Sequence, residues 1–338
     1  MRLTALLLLL VSLIALASDP THSQIANGAN EEREQGKKYY HEGRLQEAVN
    51  TLKKAIKRDQ GDADAWYFLG LTYVKQRQFK DATKAFETAA KLKPDWAAAH
   101  SGLAYSYLTR NKFIDSWRES QRAIELDAKN VEAHYVLGLT KLYTGERNEA
   151  LKEADIIIGL NERFAGGYLL KSQALVQFAG DVMVRNPEVL PKRPDRYEEA
   201  ASALEKYLEL APPGLETQGW REQLEALRFH VAIRSPEGKE QHGVYSPRDL
   251  TTRARILSKP EPFYTAEARG NGITGTVVLR ALLAADGTVK HIVVVWGLPD
   301  GLTWESIKAA RKIKFTPATL NGRPVSMFIQ LEYNFNLY

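Results

Sequence analysis

The sequence predicts a multi-domain protein: an all-α array of stacked helix pairs, then a small α+β domain in the order helix, strand, strand, helix, strand. Three observations carry this reading. Large and small apolar residues recur every 34 positions through the middle of the chain. The segment from Val325 to Phe335 alternates apolar and polar residues, the mark of a half-buried strand. Asp286-Gly287 and Asn321-Gly322 break the β-rich segment before it with the strongest short-range signals for a hairpin turn.

The repeat is clearest at Trp66, Leu69, Gly70, Tyr73, Ala82, Phe86, Ala89 and Pro94. One period of 34 residues earlier stand Gly36, Tyr39, Ala48, Leu52 and Ala55. One period later come Leu103, Ala104, Tyr107 and Ala123, with Ser116 at the small position; the next period holds Leu137, Gly138, Ala150 and Ala154, with Lys141 where a tyrosine is expected. Small residues let two antiparallel helices approach closely, and residues such as Tyr73 and Phe86 fill the space beside them. The pattern resembles the tetratricopeptide repeat position for position. A fifth unit is split: Tyr168 and Leu175 open it, and Ala200, Leu204, Tyr207 and Pro212 close it. The insertion, about 176–195, contains "RNPEVLPKRPD", whose prolines predict a loop. "GWREQLEALRFHVAI" (219–233) reads as a capping helix with a polar outer face. The predicted array therefore covers 29–235, preceded by a flexible stretch over 18–28.

The tetratricopeptide resemblance implies a concave groove lined by the first helix of each unit. The residues at its fifth and ninth positions are Arg33 and Lys37, Tyr67 and Leu71, Ser101 and Tyr105, then Tyr135 and Leu139. An aromatic, partly basic groove suits an extended or helical peptide. The alternative is that these tyrosines pack between neighbouring units.

Residues 236–254, rich in glycine, proline and charge, read as a linker to a domain over 255–338. "FYTAEAR" predicts a short helix, and "TWESIKAARKI" a second one with Thr303 as N-cap. Gly270-Asn271-Gly272-Ile273-Thr274-Gly275 fits G-x-G-x-x-G, but a dinucleotide fingerprint needs a strand before it and a helix after it. The order here is reversed, so these glycines are expected to bend the chain from helix into sheet.

"KPEPFYTAEARGNGITGTVVLRALLAADGTVKHIVVVWG" and "AARKIKFTPATLNGRPV" resemble the C-terminal domain of the TonB energy-transducer family. That resemblance implies a periplasmic domain of a Gram-negative-type envelope. It also implies that the last strand adds a short peptide from an outer-membrane transporter. The docking edge would then carry Val325, Met327, Ile329, Leu331, Tyr333 and Phe335. A second copy of the chain, or the linker strand, could cover the same edge instead. Thr265 stands where the family has the proline of a Tyr-Pro pair, and the repeat array replaces the family's proline-rich spacer.

The chain of 338 residues has no cysteine, which excludes disulfides, thiolate metal sites and a cysteine nucleophile. A net charge of +5 gives no case for nucleic acid. The seven histidines show no metal-ligand spacing, and no nucleophile-elbow or phosphate-loop motif occurs. The expectation is a protein that is not an enzyme and takes no cofactor or metal. Arg2 followed by the apolar run Leu3 to Ala17, ending in Ala15-Leu16-Ala17, reads as a signal peptide over 1–17. As a helix that run is about 22 Å long, short of a hydrocarbon core of about 30 Å. The alternative is retention as an inner-membrane tether beside motor proteins, although the run lacks the family's membrane histidine. Two functions remain open: a periplasmic TonB-family binding protein linked to outer-membrane transport, and an envelope scaffold or cell-wall-associated adaptor with no energising role.

Overall fold

A computed structural model of the chain describes residues 20–185 and 196–337. The expected signal peptide over 1–17 and the second half of the insertion, 186–195, lie outside the described residues, while its first half, 176–185, is helical. The chain divides into two compact units between Ala133 and His134.

The first unit holds α1 (Pro20–His41), α2 (Leu45–Arg58), α3 (Ala63–Lys75), α4 (Phe79–Leu92), α5 (Ala97–Leu108) and α6 (Phe113–Leu126). Helix α1 starts inside the stretch expected to be flexible; Pro20 in its first turn has no N–H to lose there. The turn between the helices of each pair contains one left-handed residue, at Gly43 (φ 75°), Arg77 (φ 58°) and Asn111 (φ 56°), one repeat apart. A single left-handed residue reverses the chain after a helix, and for Arg77 that conformation costs about 1 kcal/mol. The core runs through Ala48, Leu52, Leu69, Ala82, Phe86, Ala89 and Leu103. Phe86 is fully buried between Gly70 of α3 and Gly102 of α5, where an added Cβ would stand 2.8 and 2.6 Å from its ring. Any larger residue at either position would collide with the ring that fills this layer.

The second unit takes up most of α7 (Val131–Tyr143), then α8 (Arg147–Leu160), α9 (Ala165–Arg185), α10 (Arg196–Leu210) and α11 (Leu215–Ala232). Leu175, Val176, Tyr197, Ala200 and Leu204 of α9 and α10 pack on Leu224 and Leu227 of α11. The expected linker is ordered: it forms α12 (Pro236–Gln241), and Val244 and Thr252 bridge to Ser326 and Thr319. These bridges satisfy backbone groups, so the segment belongs to the sheet domain.

That domain consists of β1 (Arg255–Ser258), α13 (Ala266–Asn271), β2 (Gly275–Leu283), β3 (Val289–Trp296), α14 (Leu302–Ala310), β4 (Lys314–Thr316), β5 (Ala318–Leu320), β6 (Arg323–Val325) and β7 (Met327–Phe335). The main sheet is antiparallel in the order β3-β2-β7, and β1 pairs β4 while β5 pairs β6. The Asn321-Gly322 turn joins β5 to β6 with both φ angles positive, 51° and 79°. Helix precedes strand at the glycine cluster, as expected, and Gly272 ends α13 in the left-handed conformation. Two expectations need correction. Val325 lies in β6 opposite Ala318, not in the last strand. The cap of α14 is Gly301, while the Thr303 hydroxyl is engaged by Leu298 N and O at 2.8 and 2.7 Å. One face of the sheet is covered along its length and the other at β3 and the end of β2, while Gln330, Glu332 and Asn334 of β7 stay exposed on that second face. Val277, Leu279, Leu331, Tyr333 and Phe335 pack with Leu302, Ile307 and Ala310 on one side. On the other, Val293 meets Leu224 and Leu227, and Leu282 meets Ile233 and Val244.

Candidate functional site

Strand β7 forms one edge of the main sheet, in unbroken register with β2 from Met327↔Leu283 to Phe335↔Gly275. Along a strand the backbone N–H and C=O of one residue point to the same side, and successive residues alternate. Two contacts show which residues turn outward. Ser326 N donates to Gly243 O and Ser326 O accepts from Tyr245 N, both at 2.9 Å, and Lys259 Nζ donates to Glu332 O at 2.6 Å. Phe328, Gln330, Glu332 and Asn334 therefore present their backbone groups away from β2. Among the described residues, those of Phe328, Gln330 and Asn334 have no partner on that side. Met327, Ile329, Leu331, Tyr333 and Phe335 instead pair with β2, and all but the half-buried Ile329 are buried. The apolar residues that announce the strand are those the core takes. The groups available at the edge belong to the residues between them.

The linker strand does not close this edge, since β1 pairs with β4. One side chain does reach it: Lys259, whose ammonium also lies 4.4 Å from the centroid of the Tyr333 ring.

The opposite edge, β3, is closed by a helix of the array. Gln223 of α11 is buried, and its amide donates through Nε2 to Ile292 O at 3.0 Å and accepts at Oε1 from Val294 N at 2.8 Å. One side chain thus occupies two edge groups as a neighbouring strand would. A bulge beside it, marked by the register shift between Arg280 and Leu282 and by His291 at φ 46°, turns the His291 ring onto Phe229 of α11 at 3.7 Å. Trp220 packs edge-on against Trp304 at 5.5 Å, and Gly219 leaves room for that indole, since a Cβ there would stand 2.6 Å away. Arg311 and Glu222 add an ion pair. The face of α11 expected to be a polar cap is therefore an interface with the sheet. No sequence signal marks Gln223, one polar residue in an amphipathic helix.

His230, also on α11, is buried between Tyr197 and Phe328, with ring centroids at 5.1 and 4.4 Å. Its Nδ1–H donates to Ala226 O at 2.8 Å. Burial pushes its pKa down to about 3, Arg280 and His291 add to the fall, and the Ala226 carbonyl opposes it. The unfolded chain thus binds a proton below about pH 6.5 that the folded chain refuses until about pH 3. Folding stability should fall with acidification across that window, by up to about 1.4 kcal/mol per pH unit. His230→Leu should flatten this part of the profile, measured as urea midpoints of both proteins between pH 7 and pH 4. Parallel profiles would refute the assignment.

The groove positions are half-buried except Ser101, which is buried. In the first unit Arg33 pairs with Asp62 at 3.0 Å, and Lys37 with Glu34 at 3.1 Å while lying 5.1 Å from the Phe68 ring. Tyr67 packs on Trp96 at 4.6 Å and on Phe86 at 5.7 Å, and burial pushes its phenol up to about 12. Leu71 rests against the same core, and Tyr105 lies edge-on to Phe79 at 6.4 Å. In the second unit Tyr135 lies against Phe164 at 5.4 Å, and Leu139 is likewise half-buried. Packing between helices thus accounts for much of each tyrosine's surface. The residues overlooked in the sequence are Phe68 and Trp96 and the cations beside aromatic rings, Lys75 at 3.9 Å from Tyr40 and Lys93 at 4.9 Å from Trp96. Also overlooked were His100–Glu119 and His134–Glu153, each 2.7 Å long and one repeat apart. That shared spacing was the available signal.

Residues 260–337 match the family model described as Gram-negative bacterial TonB protein C-terminal, and residues 39–104 match a tetratricopeptide-repeat model. The chain carries tetratricopeptide repeats and a TonB C-terminal domain. This pair supports a protein-interaction role in a Gram-negative envelope. Cytochrome c-type biogenesis protein CycH of Pseudomonas aeruginosa is 42% identical over 48 residues, which is 14% of this chain and only 12% of that protein. Similar solved structures include MamA, 24% identical, covering 52% of this chain and 92% of that one at a TM-score of 0.41. A thermophilic TPR protein of Thermus thermophilus is 18% identical, covering 59% and 98% at a TM-score of 0.47. YrrB, described as a TPR protein with an unusual peptide-binding site, is 19% identical, covering 56% and 90% at a TM-score of 0.40. Within the TonB C-terminal domain, Thr265 replaces the family's proline and caps α13, accepting from Ala268 N at 3.1 Å and donating to Asp300 O at 2.7 Å. No helix among the described residues is long and apolar enough to cross a membrane.

Proposed function

We propose that the chain is a periplasmic, non-catalytic binding protein that takes up an extended peptide by strand addition to β7, in a role linked to outer-membrane transport. The observation that carries this reading is the open β7 edge on a sheet whose other edge is closed by Gln223. Strand addition needs a row of unpaired backbone groups, and a sheet open on one side only offers a single register-defining partner. The half-exposed aromatic and basic surface of the repeats would hold a second protein.

Proline scanning along β7 tests this. Gln330→Pro removes an outward N–H and leaves the ladder to β2 in place, whereas Leu331→Pro breaks that ladder. Gln330→Pro should fold and lose its partner, read as loss of a photo-crosslink from position 328 in the native envelope. Persistence of the crosslink would reject docking at β7. A crosslinked outer-membrane transporter would favour the transport role; crosslinks to soluble envelope proteins alone would favour the scaffold. The N-terminal residue of the protein from its host separates energising from adapting, because a chain released at Ser18 has no inner-membrane attachment through which to transmit force.

A further inference from the structure

We infer that the outward face of the β1–β4 ribbon, with Phe263 beyond it, is a contact surface for an anionic phospholipid bilayer. Strand β1 is exposed along its whole length, and Leu257 and Phe263 are 59% and 67% exposed. Arg255 stands opposite Thr316 and Ser258 opposite Lys314, while the register skips Leu257 as a bulge. Directly paired residues share a face. Arg255 and Lys314 are therefore on one side of the ribbon, the side away from the buried Phe315, with Leu257 bulged between them.

The charges around it are unbalanced. Arg253, Arg255, Lys312 and Lys314 are exposed, and none pairs with a carboxylate among the described residues. Nearby cations do find partners, Lys308 with Glu305 and Arg311 with Glu222. From Arg253 to Phe263 the single carboxylate is Glu261. Solvent-exposed leucine and phenylalanine among unneutralised cations suit a surface of anionic headgroups over an apolar layer.

A polypeptide strand is the poorer occupant. β1 has four residues, is bulged, and runs into Pro260 and Pro262, the devices that blunt an edge against strand pairing. A bilayer needs no backbone ladder.

The absence of cysteine allows a local test on the full chain. Leu257→Cys and Phe263→Cys each carry a polarity-sensitive fluorophore, and Ile114→Cys, 75% exposed in the first unit, serves as control. With phosphatidylglycerol–phosphatidylethanolamine vesicles the labels at 257 and 263 should shift to the blue and that at 114 should not. The shift should vanish with phosphatidylcholine vesicles. Vesicle affinity read from it should weaken about fivefold per charge removed in Arg255→Gln and Lys314→Gln. No shift at 257 and 263, an equal shift at 114, or an unchanged shift in the charge variants would overturn the inference. So would a shift produced by polyglutamate and not by vesicles. Because the readout is local, attachment through the N-terminal apolar run cannot mimic it.

Discussion

Gln223→Leu should destabilise the second unit by about 2–5 kcal/mol, because two backbone groups, the buried Ile292 C=O and the part-buried Val294 N–H, lose their partners at once. Leucine fills a similar volume, so packing against the sheet changes little and the loss reports the hydrogen bonds. Amide exchange at Val294 should rise relative to Leu279 on the central strand, and the urea midpoint should fall. Gln223→Glu should fare no better, since it turns a second oxygen toward Ile292 C=O and buries a charge. A sheet open on both sides should also self-associate as concentration rises, visible by sedimentation. Unchanged exchange at Val294 would show that α11 does not close this edge.

Phe86→Ala should cost about 3–5 kcal/mol in the first unit, as expected for truncating a fully buried ring. The ring is confined by Gly70 and Gly102, neither of which can move inward to fill the cavity with a side chain it lacks. Gly70→Ala alone should cost about 1–3 kcal/mol by overpacking. In the Phe86→Ala background the same change should cost little, because the ring it collides with is gone. Additive losses in the double variant would refute the collision. Thermal melts of the four proteins decide this.

The contrast between these two sites shows what was legible in the sequence. Gly70 and Phe86 were visible because the same steric demand recurs every 34 residues and leaves a period behind, whereas Gly102, with Phe68 and Val136 at the equivalent positions, shows its role only in the fold. The alternation from Met327 to Phe335 was visible for the same reason, since one buried face imposes a period of two. The turns at Asp286-Gly287 and Asn321-Gly322 were legible because few residues tolerate positive φ.

Gln223 and Lys259 left no such trace. Each makes its contact once, 69 and 73 residues away along the chain, and a single long-range hydrogen bond has no period. By itself, the sequence determined the repeat array, the strand and its buried face, and the identity of the domain at the C-terminus, because each of these rests on local or periodic constraint. Only the tertiary structure decided which sheet edge is closed and which is open, and that the last helix of the array packs on the sheet instead of facing water. Those outcomes depend on which backbone groups are already satisfied when distant segments meet, and local pattern carries no record of that.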